Sequence, residues 1–408
     1  MMKTNGVTGP LKGVKVLDLS RVLAGPWASQ ALADFGADVW KIEHPKGGDD
    51  TRQWGENMAS NSNCCGNMSA YYLSANRGKS SLTIDISTEK GQQIIRDLVQ
   101  KADILIENFK VGNLKKYGLD YVSLSKLNSR LIYCSITGFG QTGSYAGNAG
   151  YDAMIQASAG LMSITGEKSG EPQKVGVAAS DLMTGMYAVS AILAALYHRS
   201  ETGQGQYIDL ALFDTQVSWL ANQSMSYLLT GKIPERQGST HPQIVPYQPV
   251  ECQDGLMMLA IGNDQQFENC CKQIGLPKLA EDERFKTNNA RVNNHELLIE
   301  FMTDKFRTKS IKQWLDILSE AAIPCGPINN LKQVFEHPQI KARDTLFSLN
   351  HPQLGEMPQV ANPVKFSKTP VSYTKAAPTL GEDTENVLQK ELNFSKEEIG
   401  ELKMLGII

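Results

Sequence analysis

Among the carboxylates of this chain, Asp181 has the setting that most favours chemistry. A run of small residues, Val175-Gly-Val-Ala-Ala-Ser180, approaches it in extended form, and Leu182-Met-Thr-Gly-Met-Tyr-Ala-Val189 opens a long apolar helix behind it. The aspartate therefore belongs at a helix N-terminus. One role there is to cap an orphan backbone N–H, worth about 1 kcal/mol. The other is nucleophilic, because the position holds a carboxylate ionised and offers neighbouring N–H groups to an oxyanion. Two charged turns, Asn76-Arg77-Gly78-Lys79-Ser80 and Glu107-Asn108-Phe109-Lys110-Val111-Gly112, fall at strand ends. Ligands of open α/β sheets bind outside the carboxyl ends of strands, so phosphate contacts are one reading and solvated loop charge the other. Tyr151 and Asp152 follow a glycine-rich loop. Gly138-Phe-Gly140-Gln-Thr-Gly143 spells a dinucleotide fingerprint after a strand, but Ser144 to Gly150 reads as more loop where that chemistry needs a helix. A plain turn is the expectation.

Other chemistries find less support. The six histidines (44, 198, 241, 295, 337, 351) are scattered, with no H-x-x-x-H pair, so no metal site is expected. Seven cysteines, at 64, 65, 134, 252, 270, 271 and 325, are odd in number and lack C-x-x-C; they read as reduced thiols in the cytoplasm. Lys+Arg of 40 against Asp+Glu of 43 leaves no positive surplus for nucleic acid or an anionic membrane. The longest apolar stretch, about 188–197, is short for a membrane span.

The elements that must position these residues alternate in type. Leu11 to Leu19 alternates as a strand, 27–35 is helix-favouring, and 37–43 is a second strand. Strands recur at 81–86, 103–106 and 131–136, with a helix over about 89–101, then a long helix over about 182–198 and a strand over 206–212. This pattern predicts an α/β fold, a Rossmann-like large domain with an open, mostly parallel sheet. At 408 residues a second core is expected. Pro234, Pro242, Pro246 and Pro249 mark a boundary. The division is 1–220 for the first part of the large domain, 221–246 linker, 247–328 a smaller α+β domain, and 329–408 a linker and C-terminal part returning to the large domain, with a last helix near 395–403.

Together these stretches resemble the family III CoA-transferases, the formyl-CoA transferase or CaiB/BaiF-like group. The carriers are Leu11 to Asp18 with Ala24-Gly25-Pro26, Gly36 to Pro45 with Gly48-Asp-Asp-Thr-Arg52, Asn76 to Ser80, Ile106 to Phe109, Ser135 to Gly140, Gly150-Tyr-Asp152, and Asp181 before its helix. The resemblance implies that Asp181 attacks a donor thioester to give an acyl-aspartyl anhydride, then an aspartyl-CoA thioester that the acceptor acid opens. It implies contacts to CoA from Val22, Ala24, His44, Asn76, Arg77, Lys79, Asn108, Phe109, Lys116, Tyr151 and Asp152. Gly262, Asn263, Gln265 and Gln266 occupy the place of the family's glycine-rich lid. An interlocked homodimer follows from the resemblance alone, as does coenzyme A serving as substrate with no permanently bound cofactor.

One position separates transfer from racemisation. The related racemases carry His where this chain has Tyr151, and a phenol is a poor base at neutral pH. CoA transfer is the expected reaction, with a racemase-type isomerase and an NAD-dependent oxidoreductase as alternatives and a non-catalytic CoA-binding dimer as a fourth reading. Segments 239–247, 262–267, 291–293 and 326–330 look most like the succinyl-CoA:dicarboxylate branch, which implies succinyl-CoA as donor and an acceptor such as glutarate. A second substrate carboxylate needs a cation, and Arg21, Arg52 and Arg77 are candidates by location.

Overall fold

The computed structural model describes residues 9–55 and 68–408; Cys64 and Cys65 lie outside these residues. The described residues form two compact units, one of 9–55, 68–161, 175–228 and 341–408, the other of 162–174 and 229–340.

The first unit is built on six parallel strands in the order β3-β2-β1-β4-β5-β6, with β1 Lys15–Asp18, β2 Asp38–Glu43, β3 Lys79–Thr83, β4 Ile104–Glu107, β5 Ile132–Thr137 and β6 Tyr207–Ala211. Consecutive residues of the central strands face opposite sides, and both sides are buried. Val16, Val39, Ile104, Ile106, Ile132 and Ile136 pack under helices Ala24–Asp34 and Ala179–Thr202. Leu17, Trp40, Ile42, Leu82 and Leu105 pack under helix Glu89–Val99 and the C-terminal helices Thr384–Leu392 and Lys396–Met404. Two buried faces explain why these strands read as near-continuous apolar runs. The C-terminal segment also closes the edge of β3: Ser81 N–H donates to Asp383, and Thr83 N–H to Thr384 Oγ1, which covers backbone groups that an open edge would expose. An antiparallel pair, β10 Leu346–His351 and β11 Gly355–Val360, completes this unit.

Helix Ala179–Thr202 extends beyond the expected span at both ends. It is long and apolar enough to cross a membrane by length and composition. Here one face, with Ala188, Val189, Ile192 and Ala195, is buried in the sheet core instead.

The second unit holds a three-stranded antiparallel sheet, β7 Tyr247–Cys252, β8 Gly255–Ala260 and β9 Cys325–Pro327, over an apolar core that includes Met257, Phe267, Phe285, Phe306 and Trp314. It takes in more chain than 247–328, reaching back to 162–174 and on to 340, and the expected linker contains a helix, Ala221–Thr230.

Candidate functional site

The strand order reverses direction between β1 and β4, and the loops that leave these two strands splay apart there, which is where open α/β sheets bind ligands. Asn108 joins the two loops. Its Oδ1 accepts the Arg21 N–H at 2.9 Å, and its Nδ2 donates to the Arg21 carbonyl at 2.7 Å. A cleft of about 270 Å³ opens beside this clasp, lined by Arg21, Val22, Ala24, Asn108, Phe109, Lys110, Tyr151 and Asp181 among others.

The floor under the first loop is ionic and dry. Val22 sits at φ +69°, a left-handed conformation that costs a β-branched residue of order 1–3 kcal/mol unless its surroundings enforce it. Asp49 Oδ1 accepts the Val22 N–H at 3.2 Å, and Lys41 Nζ bridges Asp49 at 2.9 Å and the Ser20 carbonyl at 3.0 Å, both side chains having no exposure. Burial pushes Asp49 up, but Lys41 and Thr51 outweigh it and hold the carboxyl down at about 2.

Two glycine contacts bring the nucleophile candidate to this wall. A Cβ on Gly185 would stand 2.8 Å from the Ala24 carbonyl oxygen, so only glycine lets the long helix cross helix Ala24–Asp34 this closely. Asp181 lies one turn earlier on that helix and lines the same cleft as Ala24. Gly138 and Gly150 meet backbone to backbone, a Cβ on Gly150 falling 2.5 Å from the Gly138 Cα. The G-x-G-x-x-G stretch is therefore a turn whose first glycine seats Tyr151 and Asp152 beside the end of β5, and the next helix starts only at Asp152.

Asp181 is not the N-cap. That position belongs to Ala178, whose side chain cannot cap, and Asp181 is the third helical residue. Asp152 supplies the missing acceptor from another helix: its Oδ1 takes the Ser180 N–H at 2.8 Å and its Oδ2 the Gln156 amide at 2.8 Å. Ser180 Oγ in turn donates to Gln216 Oε1 at 2.8 Å. Burial, reinforced by the Asp152 charge, raises the Asp181 carboxyl from the ordinary 3.8 to about 7. Tyr71 is raised to about 12 by burial and by Asp181 and Asp152, so it faces them as a neutral phenol. A carboxyl that ionises near neutrality at the wall of an open cleft can act as a nucleophile, and its negative charge disappears on acylation.

The cleft thus gathers Val22, Ala24, Asn108, Phe109, Tyr151 and Asp181 of the expected residues. His44 lies apart in an adjoining hollow of about 180 Å³ that shares Arg21 and Phe109. Lys116 is exposed over the ring of Tyr117 and lines neither. Asn76, Arg77 and Lys79, from which contacts to CoA are expected, spend their side chains inside the protein. Lys79 has no exposure and donates to Asp18, Asn76 Oδ1 and the Pro26 carbonyl. Asn76 also spends its amide on the Tyr72 carbonyl, and Arg77 is buried in a bidentate pair with Asp34. These polar groups are internal supports. Arg52 is likewise locked on Glu43, leaving Arg21 as the one of the three arginines that lines the cleft. Asp152 directs its carboxylate to the Ser180 N–H and the Gln156 amide.

In the second unit, the expected lid loop is shorter than its spacing implies. Asn263 caps helix Asp264–Gln273 through the Gln266 N–H, and Gln266 Oε1 accepts from Gly262, so Gln265 and Gln266 are helical. The residues sequence reasoning missed are Tyr71, Ser180, Gln216 and the Lys41–Asp49 pair. Only Ser180, next to Asp181, carried a local signal.

Residues 11–384 match the family model for CoA-transferase family III. A succinate–glutarate CoA-transferase of Agrobacterium fabrum is 48% identical over 93% of this chain and 95% of its own length. The human succinyl-CoA:glutarate CoA-transferase is 41% identical over 98% of this chain and 90% of its own length. Among solved structures, a CaiB/BaiF family protein from Brucella suis superposes with a TM-score of 0.83 at 45% identity, covering 94% of this chain and 100% of that one. A family model spanning most of the chain, relatives of this identity, and a switch-point cleft holding an aspartate leave one assignment: the chain belongs to CoA-transferase family III and is a CoA-transferase.

Proposed function

We propose that the enzyme moves CoA from succinyl-CoA to glutarate or a similar dicarboxylate, with Asp181 as the nucleophile. The observation that carries the substrate reading is the 48% identity to a succinate–glutarate CoA-transferase along nearly the whole chain. The raised, cleft-facing Asp181 supports the catalytic assignment.

In this reading an Asp181 oxygen attacks the thioester carbon, the C–S bond breaks, and the thiolate leaves with the electron pair. The thiolate then attacks the Asp181 carbonyl of the anhydride, releasing succinate and leaving an aspartyl-CoA thioester. An acceptor carboxylate oxygen displaces the thiolate again, forming a second anhydride. Thiolate attack on its acceptor-side carbonyl yields the new acyl-CoA and restores the Asp181 carboxylate. With an ordinary thiol pKa of about 8.5, the thiolate is a good leaving group throughout.

Arg21 is the cation for the distal carboxylate of the acid, exchanging its exposed partner Asp50, now at 3.0 Å, for the substrate. The homodimer is proposed on the same footing. Tyr197 and Leu228 of the first unit are each 72% exposed, apolar surface that a second copy would cover. A cytoplasmic setting is proposed with it, supported by free thiols at Cys134, Cys252, Cys270, Cys271 and Cys325.

The test is to incubate the protein with succinyl-CoA and a panel of free acids and follow new CoA thioesters by mass spectrometry. Glutaryl-CoA formed by the wild type and lost in Asp181→Ala is the expected result. Exchange of an α-proton without any new thioester would replace this reading with isomerisation.

A further inference from the structure

We infer that Asp152 is a positioning residue for the nucleophile: its carboxylate caps the helix that carries Asp181, through the Ser180 N–H, and places a second acidic group beside the reacting one. The inference rests on Asp181 being the nucleophile and gives Asp152 a role exerted through its neighbours.

The geometry makes the case. Ala178 occupies the N-cap and has no side chain to accept from the first turn. Asp152, 28 positions earlier on helix Asp152–Ser158, reaches across with its Oδ1 at 2.8 Å from the Ser180 nitrogen. Its other oxygen accepts from Gln156, whose own Oε1 takes the Val175 N–H on the strand-like approach to Asp181. Ser180 is completely buried and wholly engaged: N–H to Asp152, Oγ to Gln216, carbonyl to Thr184 Oγ1. The residue beside Asp181 therefore has no freedom to turn.

The same carboxylate lies close enough to Asp181 for its charge to oppose ionisation there. Among the described residues Tyr71 also faces the pair, as a neutral phenol at physiological pH, while Arg21, Asp50, Lys110 and Tyr151 line the cleft beyond. A like charge makes the Asp181 carboxylate a stronger base, hence a better nucleophile, and acylation relieves the repulsion by removing one of the two charges. A carboxylate also complements the positive end of the helix, so its charge serves both the cap and the reaction.

The test compares kcat/KM against pH for the wild type, Asp152→Asn, Asp152→Glu and Gln216→Leu, because the acid limb of that profile reports the free enzyme. Asp152→Asn is expected to move the limb down by about one pH unit, and Asp152→Glu to leave it in place. Gln216→Leu loosens the same serine without touching a charge, so it should lower turnover with the limb unmoved. A limb unchanged in Asp152→Asn, or moved equally by Gln216→Leu, overturns the inference. The stability change caused by Asp181→Asn, followed against pH in the wild-type background and again in the Asp152→Asn background, reads the same ionisation without any catalysis. Retention of transfer by Asp181→Asn would refute the nucleophile assignment separately.

Discussion

Replacing Asp181 with asparagine should stabilise the protein above neutral pH and do nothing below about pH 4. In the unfolded chain the carboxyl ionises near its ordinary 3.8; in the fold, burial and Asp152 delay this to about 7. Between those values the folded state holds a proton that the unfolded state has released, so the wild type loses stability as pH rises through the interval. The full shift corresponds to a ceiling of about 4 kcal/mol at pH 8, since each pH unit carries about 1.36 kcal/mol. The side chain borders an open cleft, and water reaching it from there reduces the effect to about 2 kcal/mol. For a unit of this size that is a rise in melting temperature of about 4 °C. Scanning calorimetry of the two proteins at pH 4 and pH 8 measures it. The expectation is coincident transitions at pH 4 and Asp181→Asn melting higher at pH 8. A difference that does not change with pH would show that Asp181 is not held against ionisation, and the reasoning about its reactivity would fall with it.

Gly185→Ala places a Cβ 2.8 Å from the Ala24 carbonyl and forces the two helices apart; turnover should fall at least about tenfold, with a stability loss of about 1–3 kcal/mol by chemical denaturation. Wild-type turnover would show that the helix crossing does not set the position of Asp181. Asp49→Ala removes the ion-pair partner of the fully buried Lys41 and frees the Val22 N–H. Its cost should be about 3–5 kcal/mol, and a loss below about 1 kcal/mol in urea titration would contradict the enforced left-handed turn.

The sheet was legible because its signals are local. β1 to β6 are apolar runs between turn residues, and each lies within a few residues of its expected span. Asp181 stands out for the same reason, by the small residues that precede it and the apolar helix that follows. Its capping was not legible, because the acceptor comes from Asp152 and no spacing rule connects the two. The internal partners of the charged turn at Asn76 to Lys79 were hidden on the same ground. Lys79 lies 61 positions from Asp18, and only parallel strands packed side by side convert an apparent surface lysine into a buried support. Tyr71 and Gln216 carried no signal at all, since each acts through neighbours that folding alone supplies. The second unit resumes at Leu229, ahead of the prolines, and also recruits 162–174, a segment that composition does not distinguish.

The covalent intermediate is the most direct test of the account. The wild type mixed with succinyl-CoA in the absence of acceptor, quenched with hydroxylamine and digested, should carry a hydroxamate at Asp181, read by tandem mass spectrometry of its peptide. The label should fall when glutarate is present in excess and draws the intermediate on to product. A hydroxamate on another carboxylate, or an unmodified Asp181 peptide while glutaryl-CoA accumulates in the paired reaction, would contradict it.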